Sequence, residues 1–234
     1  DFLDPGKRFS AAEFRDRAVK YAKMAHRSGR LPFLVGGNGL YVQSVVDNLQ
    51  IPRVVPNYKL RKSFETKSND ELLNLLRSLD EKAADTVDSK NKRRIIRALE
   101  VCILSGEPFS EQKQKGEALF DMLQIGISIP REVMYSNIDE RVDTMVKLGM
   151  VEEIRRLLSQ RYSWHLQSMS AIGYRQFQAF FEGTATLDCA IERLKRDTRK
   201  YARRQITWFK RDPRIQWFTH YEEAERLAMD FFNK

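Results

Sequence analysis

Cysteine is scarce, with Cys102 and Cys189 alone in 234 residues. Two thiols cannot make a disulfide framework or a four-cysteine zinc site. Each lies in an apolar helical pattern and reads as a small buried hydrophobe in a reducing cytosol. Histidine is as rare, and His26, His165 and His220 lack ligand partners at usable spacing, so neither a metal cage nor a catalytic triad finds support. No apolar run approaches the roughly 20 residues that span a bilayer, and a signal-peptide pattern is missing. The Walker sequence Gly-x-x-x-x-Gly-Lys-Ser/Thr is absent: Lys7 follows Gly6, but Arg8 holds the hydroxyl position. Repeats, heptads and low-complexity tracts are also lacking, and no large exposed apolar stripe is read, which favours a monomer.

What is present is a core and an excess of positive charge. Hydrophobic residues make up 42% and aromatics 11%, which excludes a wholly disordered chain. Lys and Arg number 41 against 32 Asp and Glu, a formal charge of +9 that points to an anionic partner. The chain opens Asp1-Phe2-Leu3-Asp4-Pro5, without Met and in mid-phrase, as if an N-terminal portion were not included.

Along the chain, Ser10 followed by Glu13 forms a capping box for a helix carrying Phe14, Ala18, Tyr21, Ala22 and Ala25, closed by Gly29. Leu31-Pro32-Phe33-Leu34-Val35 reads as a buried strand running into Gly36-Gly37-Asn38-Gly39, with a helix from about 40 to 47. From Ile51 to Gly116 the strand signal vanishes. Helices are expected at 57–66, 69–78 and 92–104, the last with Ile95, Leu99, Cys102 and Ile103 on one face and Gly106 at its end. Ser110 to Gly116 reads as polar and mobile. A strand over 123–129 follows, then helices opened by Pro130 and closed by Gly149, and at 150–159, 174–182, 187–209 and 221–232, with a strand at 215–218. The division expected is 1–50 as part of an α/β core, 51–118 as a helical insertion and 119–234 as the remainder of the core with basic helices.

The charge is concentrated. Between Glu192 and Arg214 lie ten basic residues and three acids, +7 of the total. On a helix, Ile191, Leu194, Thr198, Tyr201, Ala202, Gln205 and Trp208 form the apolar stripe and cations fill the rest of the circumference. A solvated face usually mixes signs, so this pattern favours phosphate contact over an ordinary basic surface. Lys90, Lys92, Arg93, Arg94 and Arg97 form a second cluster at a helix start, where they oppose the macrodipole and gain from a bound anion. Gly36-Gly37-Asn38-Gly39 admits a close ligand phosphate or base, or is simply a turn. Asp139-Glu140, beside Arg141 and Asp143, reads as a solvent-exposed salt-bridge face. Local sequence thus describes a basic α/β protein that binds an anionic polymer.

Five strings in order resemble the tRNA dimethylallyltransferase (tRNA isopentenyltransferase) family, bacterial type. They are Leu-Val-Gly-Gly-Asn-Gly-Leu-Tyr (34–41), Asn-Lys-Arg-Arg-Ile-Ile-Arg-Ala-Leu-Glu (91–100), Ile-Asp-Glu-Arg-Val-Asp-x-Met (138–145), Ala-Ile-Gly-Tyr-Arg-Gln (171–176) and Tyr-Ala-Arg-Arg-Gln-Ile-Thr-Trp-Phe-Lys (201–210). The resemblance implies a P-loop-kinase-like parallel sheet core, incomplete at its N-terminus, with an all-helical insertion domain. It implies transfer of a dimethylallyl group from dimethylallyl diphosphate to N6 of the adenine adjacent to the anticodon, with Mg²⁺ and arginine on the diphosphate. Arg175 resembles the diphosphate-contacting arginine. Asn38 stands where the family usually has Thr. It joins Arg61, Arg93, Arg94, Arg97, Gly173, Tyr174, Arg203, Arg204, Gln205, Thr207, Trp208 and Lys210 as residues matched to contacts with the tRNA anticodon stem-loop. The family's phosphate loop and general-base aspartate precede the first residue here, so this stretch alone is expected not to turn over. A non-catalytic RNA-binding module and a small-molecule P-loop kinase remain as alternatives.

Overall fold

Serine and asparagine caps set the helix starts of the computed structural model, which describes residues 2–112 and 114–233. Ser10 and Glu13 close the reciprocal capping box that starts α1 (Ala11–Arg27), and Ser68 and Glu71 do the same for α4 (Asn69–Leu79). Asn38, Asn57 and Asn91 cap α2 (Gly39–Val46), α3 (Tyr58–Glu65) and α6 (Lys92–Ser105). Gly106 ends α6 in the left-handed region at φ 75°. Two short helices escape the sequence reading, α5 (Glu81–Thr86) and α7 (Phe109–Gln112). Asp80 makes both: its carboxylate caps the Ala83 N–H and accepts from the N–H and hydroxyl of Ser110. The stretch from Ser110 is therefore tied down rather than loose, and Gly116 N–H bonds the carbonyls of Asp47 and Asn48; Lys113 lies outside the described residues.

The chain packs as two units, Ser10–Asp121 and the segment before it joined with Met122 onward. Residues 10–50 thus group with the helices of 51–118. The core of this unit gathers Phe64, Leu72, Leu76, Ala83, Ile95, Leu99 and Cys102. Ile95, Leu99 and Cys102 are buried at the expected helical spacing, whereas Ile103 reaches solvent because the buried arc of α6 runs instead through Ile96, Ala98 and Val101.

In the other unit, β1 (Gln124–Ile127) pairs in parallel with β2 (Ile215–Phe218), in register Gln124 to Ile215 and Ile127 to Phe218. Four helices intervene in sequence: α8 (Arg131–Lys147), α9 (Met150–Ser159), α10 (Gln178–Phe181) and α11 (Leu187–Phe209), with a 3-10 turn at Arg175–Phe177. A parallel pair requires such a crossover. Gly126 sits under Trp217, where a Cβ would meet the indole at 2.7 Å. α12 (Tyr221–Phe232) follows β2. Val142, Met150, Val151, Ile154, Met169, Phe177, Ala190 and Leu194 form the core. Pro130 stands one position outside α8, as its N-cap rather than its first residue.

Two expectations fail here. Leu31–Val35 is not a strand: it pairs with no other strand among the described residues, and an unpaired ladder leaves backbone groups that only water satisfies. Phe33 and Val35 are 74% and 90% exposed, where a buried strand was expected. Cys189 is also exposed, because the first turn of α11 carries it outward while Ala190 takes the core position; Cys102 is buried as expected. No helix among the described residues is long and apolar enough to cross a membrane.

Candidate nucleic-acid interface

The cations of α11 divide into two rows. The inner row holds the protein together: Arg199 Nη1 lies 2.9 and 2.6 Å from the carboxylate oxygens of Asp139, and Lys195 Nζ is 2.8 Å from Asp143. Asp139 and Asp143 of α8 are thus spent between helices, since α8 and α11 pack side by side, whereas Glu140 stays on the exposed face that the sequence suggested. The outer row is Arg193, Arg196, Lys200 and Arg203, continued past Thr207 by Lys210 at the helix C-cap, with Arg204 and Arg211 beside it, turned toward solvent. Steps of three and four residues keep this row on one helix face, about 25 Å long from Arg193 to Lys210 at 1.5 Å per residue. Among the described residues no carboxylate pairs with these side chains at salt-bridge distance; Arg204 lies over the Tyr201 ring, 5.7 Å from its centroid. Gln205 is half-buried, and the Thr207 hydroxyl donates to the Arg203 carbonyl. The apolar stripe of α11 is graded: Leu194 is buried, while Tyr201, Gln205 and Trp208 toward its C-terminus are only half covered.

Beside α11 lies the 3-10 turn bearing Arg175. Gly173 is buried at φ 113°, a conformation that L side chains avoid, and a Cβ there would touch Met150 at 3.0 Å. Tyr174 donates its hydroxyl to Glu153, and burial followed by that carboxylate pushes its ionisation up to about 12. Arg175 is half exposed, with Nη2 3.8 Å from Asp197. Asp197 also accepts from Gln176 Nε2 at 2.9 Å, and that bond, together with Arg175, Arg196 and Lys200, holds its carboxyl below the usual range despite burial. Gln176 and Asp197 are the residues that sequence reasoning missed; the available signal is an acid in the middle of an otherwise cationic face.

In the Ser10–Asp121 unit the matched residues behave differently. Asn38 caps α2, its Oδ1 accepting from the Tyr41 N–H at 3.4 Å. Arg61 and Arg97 meet on Glu100, which is fully buried. Arg61 Nε and Nη2 lie 2.8 and 2.6 Å from its two oxygens, Arg97 Nη1 lies 2.6 Å away, and the Asn57 N–H adds a fourth bond at 2.7 Å. Burial alone would raise the Glu100 carboxyl, but these donors outweigh it and hold it low. Arg97 also donates to the carbonyls of Pro52 and Val54. Lys92 is spent on the carbonyls of Glu65 and Lys67, and Arg94 lies 3.8 Å from Asp88. Arg93 is exposed beside them, with no carboxylate at salt-bridge distance among the described residues.

The Mg²⁺ implied by the sequence resemblance finds no ready donor set. Among the described residues no three of His, Cys, Asp and Glu converge. The carboxylate beside Arg175 sits in the field of Arg175, Arg196 and Lys200, which repels a dication.

These features define a basic, mostly helical α/β protein whose exposed cations are segregated from its paired ones. A family model described as IPP transferase matches residues 1–212, and the chain belongs to that family. The tRNA dimethylallyltransferase of Roseiflexus sp. (strain RS-1) is 42% identical over 219 residues, covering 92% of this chain and 72% of the relative. That of Anoxybacillus flavithermus is 40% identical over 220 residues, with 93% and 70% covered. Among solved structures, the full-length tRNA isopentenylpyrophosphate transferase of Bacillus halodurans matches at TM-score 0.66 and 34% identity, covering 100% of this chain and 76% of that one. A eukaryotic dimethylallyltransferase described as acting on tRNA matches at TM-score 0.78 but 23% identity, covering 64% of its own chain, and shows the fold alone.

Proposed function

We propose that this chain modifies tRNA by transferring a dimethylallyl group from dimethylallyl diphosphate to N6 of the adenine beside the anticodon. The observation that carries this reading is the outer cationic row of α11, without a carboxylate partner among the described residues and adjoining Arg175 through Asp197. Such a row fits a tracked phosphate backbone better than a small ligand. Arg175, half exposed and held by no hydrogen bond to Asp197, keeps its donors for the diphosphate. In the transfer, N6 bonds to C1 of the dimethylallyl group as the C1–O bond breaks. The electron pair leaves with the diphosphate, and N6 gives up a proton. Cations beside the leaving oxygen stabilise the charge that develops there. The adenine must leave its stack to reach the prenyl donor.

The parallel β1/β2 pair with its helical crossover supports a P-loop-kinase-like core, while the helical unit takes in Ser10–Asp121 rather than 51–118 alone. Transfer of labelled dimethylallyl diphosphate to tRNA by the full polypeptide tests the function, with Arg175→Ala as the control. Label in tRNA that Arg175→Ala abolishes is the expected result. Tight tRNA binding with no transfer would leave an RNA-binding module instead.

A further inference from the structure

Gln176 is the most buried polar side chain near Arg175, 1% exposed, and no step of the proposed transfer uses it. A buried amide costs free energy unless both of its ends are bonded, and a leucine of similar volume would fill the same space more cheaply. Both ends are bonded. Oε1 accepts the Gly173 N–H at 3.0 Å, and Nε2 donates to Asp197 Oδ2 at 2.9 Å. One partner is a donor and the other a carboxylate, so only an amide serves both; a carboxylate would repel Asp197 and a cation would clash with the N–H. The orientation of the amide is fixed by the same logic.

The consequence concerns Arg175, the preceding residue in the chain. Its guanidinium lies 3.8 Å from the oxygen that Gln176 holds, inside ion-pair range but outside hydrogen-bond range. Asp197 is thereby anchored by Gln176 rather than by Arg175. It steers the arginine as a fixed negative pole while leaving the guanidinium donors available. Gly173, two residues before Arg175, is tied to the same amide, so a single side chain fixes the turn on one side of Arg175 and the counter-charge in front of it.

We infer that Gln176 is a positioning residue: through Gly173 and Asp197 it sets the direction in which Arg175 points, and so the affinity for a diphosphate group, a consequence that rests on the reading of Arg175 as the diphosphate contact. The direction itself does not rest on that reading.

Two measurements on the full chain test it. The first follows relaxation of the Arg175 Nε–Hε group by NMR in the absence of ligand, in wild type and Gln176→Leu. The second titrates inorganic pyrophosphate into wild type, Gln176→Leu, Arg175→Ala and the double variant. Gln176→Leu is expected to loosen Arg175 and weaken pyrophosphate about tenfold, as a small misplacement does, and to add nothing on the Arg175→Ala background. Arg175 equally ordered in folded Gln176→Leu, or losses that multiply in the double variant, would overturn the inference. If Gln176→Leu does not fold, Gln176→Glu is read instead; it keeps the bond to Gly173 but sets a charge against Asp197, and it must loosen Arg175 in the same way. Wild type that binds no pyrophosphate, with Arg175 still loosened by Gln176→Leu, would sink the diphosphate reading and leave the positioning role standing.

Discussion

Arg199 sets one guanidinium nitrogen against both carboxylate oxygens of Asp139, at 2.9 and 2.6 Å, and covers the Tyr135 ring at 5.9 Å from its centroid. Arg131 approaches the same ring, 5.2 Å from its centroid. A helix as basic as α11 would repel itself if every cation were alike in role. Here the inner row is neutralised by α8 and anchors the fold, while the outer row keeps its charge for solvent and ligand.

The two rows predict different phenotypes. Lys200→Gln and Arg203→Gln are each expected to weaken tRNA binding and to flatten the log–log salt dependence by about 0.7 to 0.9 for each phosphate interaction removed. Arg199→Gln is expected to cost about 1 kcal/mol of stability and to leave that slope alone. Filter binding across a salt series, paired with urea unfolding, reads both. An equal change of slope for all three variants would show that the rows are not separate.

Glu100 makes the opposite prediction for two arginines that the sequence matched to tRNA. Glu100→Gln leaves Arg61 and Arg97 facing a neutral amide in a fully buried position and is expected to destabilise by about 3 kcal/mol. The folded carboxyl is held below its ordinary value, so its contribution is complete above the unfolded titration range and is lost as pH falls through the lower, folded value. Melting temperature against pH should therefore drop on the acid side in wild type and less so in Glu100→Gln. Parallel acid limbs for the two proteins would remove Glu100 as the cause.

Much of this organisation is legible in the residues. Capping boxes at Ser10 and Ser68, the left-handed Gly106 and the strands around Ile125 and Trp217 are local signals, set by a few neighbouring side chains. The strand expected at Leu31–Val35 fails because a strand needs a partner, and apolar composition does not supply one. The division of cations into paired and unpaired is hidden for a similar reason. Asp139 and Arg199 are 60 residues apart and Asp143 and Lys195 are 52 apart, and only the packing of α8 on α11 joins them. Gln176 lies inside one of the five family-like strings, but its burial and its two unlike partners belong to the tertiary structure.

Asn38 separates a capping role from a recognition role. Its side chain closes the first turn of α2, so Asn38→Ala is expected to cost about 1 kcal/mol, whereas Asn38→Ser keeps a cap and costs little. If the amide also touches tRNA, Asn38→Ser lowers tRNA affinity with no change in melting temperature. Equal affinity in wild type and Asn38→Ser would confine Asn38 to the cap.

Tyr174 offers a titration that reports the folded site directly. In an unfolded chain a phenol ionises near 10. Here burial, and then the Glu153 carboxylate that accepts its hydrogen bond, push it up to about 12. The folded state holds this proton more tightly than the unfolded one, so the stabilisation is complete below about pH 10 and is lost as pH rises toward 12. At neutral pH the hydroxyl is therefore a committed donor to Glu153, which an RNA phosphate would have to displace. Glu153→Gln removes the charge on the acceptor and is expected to bring the ionisation down while leaving the burial contribution. The tyrosinate absorbance of wild type minus that of Tyr174→Phe isolates the group; a difference curve centred near 10 would mean that neither burial nor Glu153 acts on it.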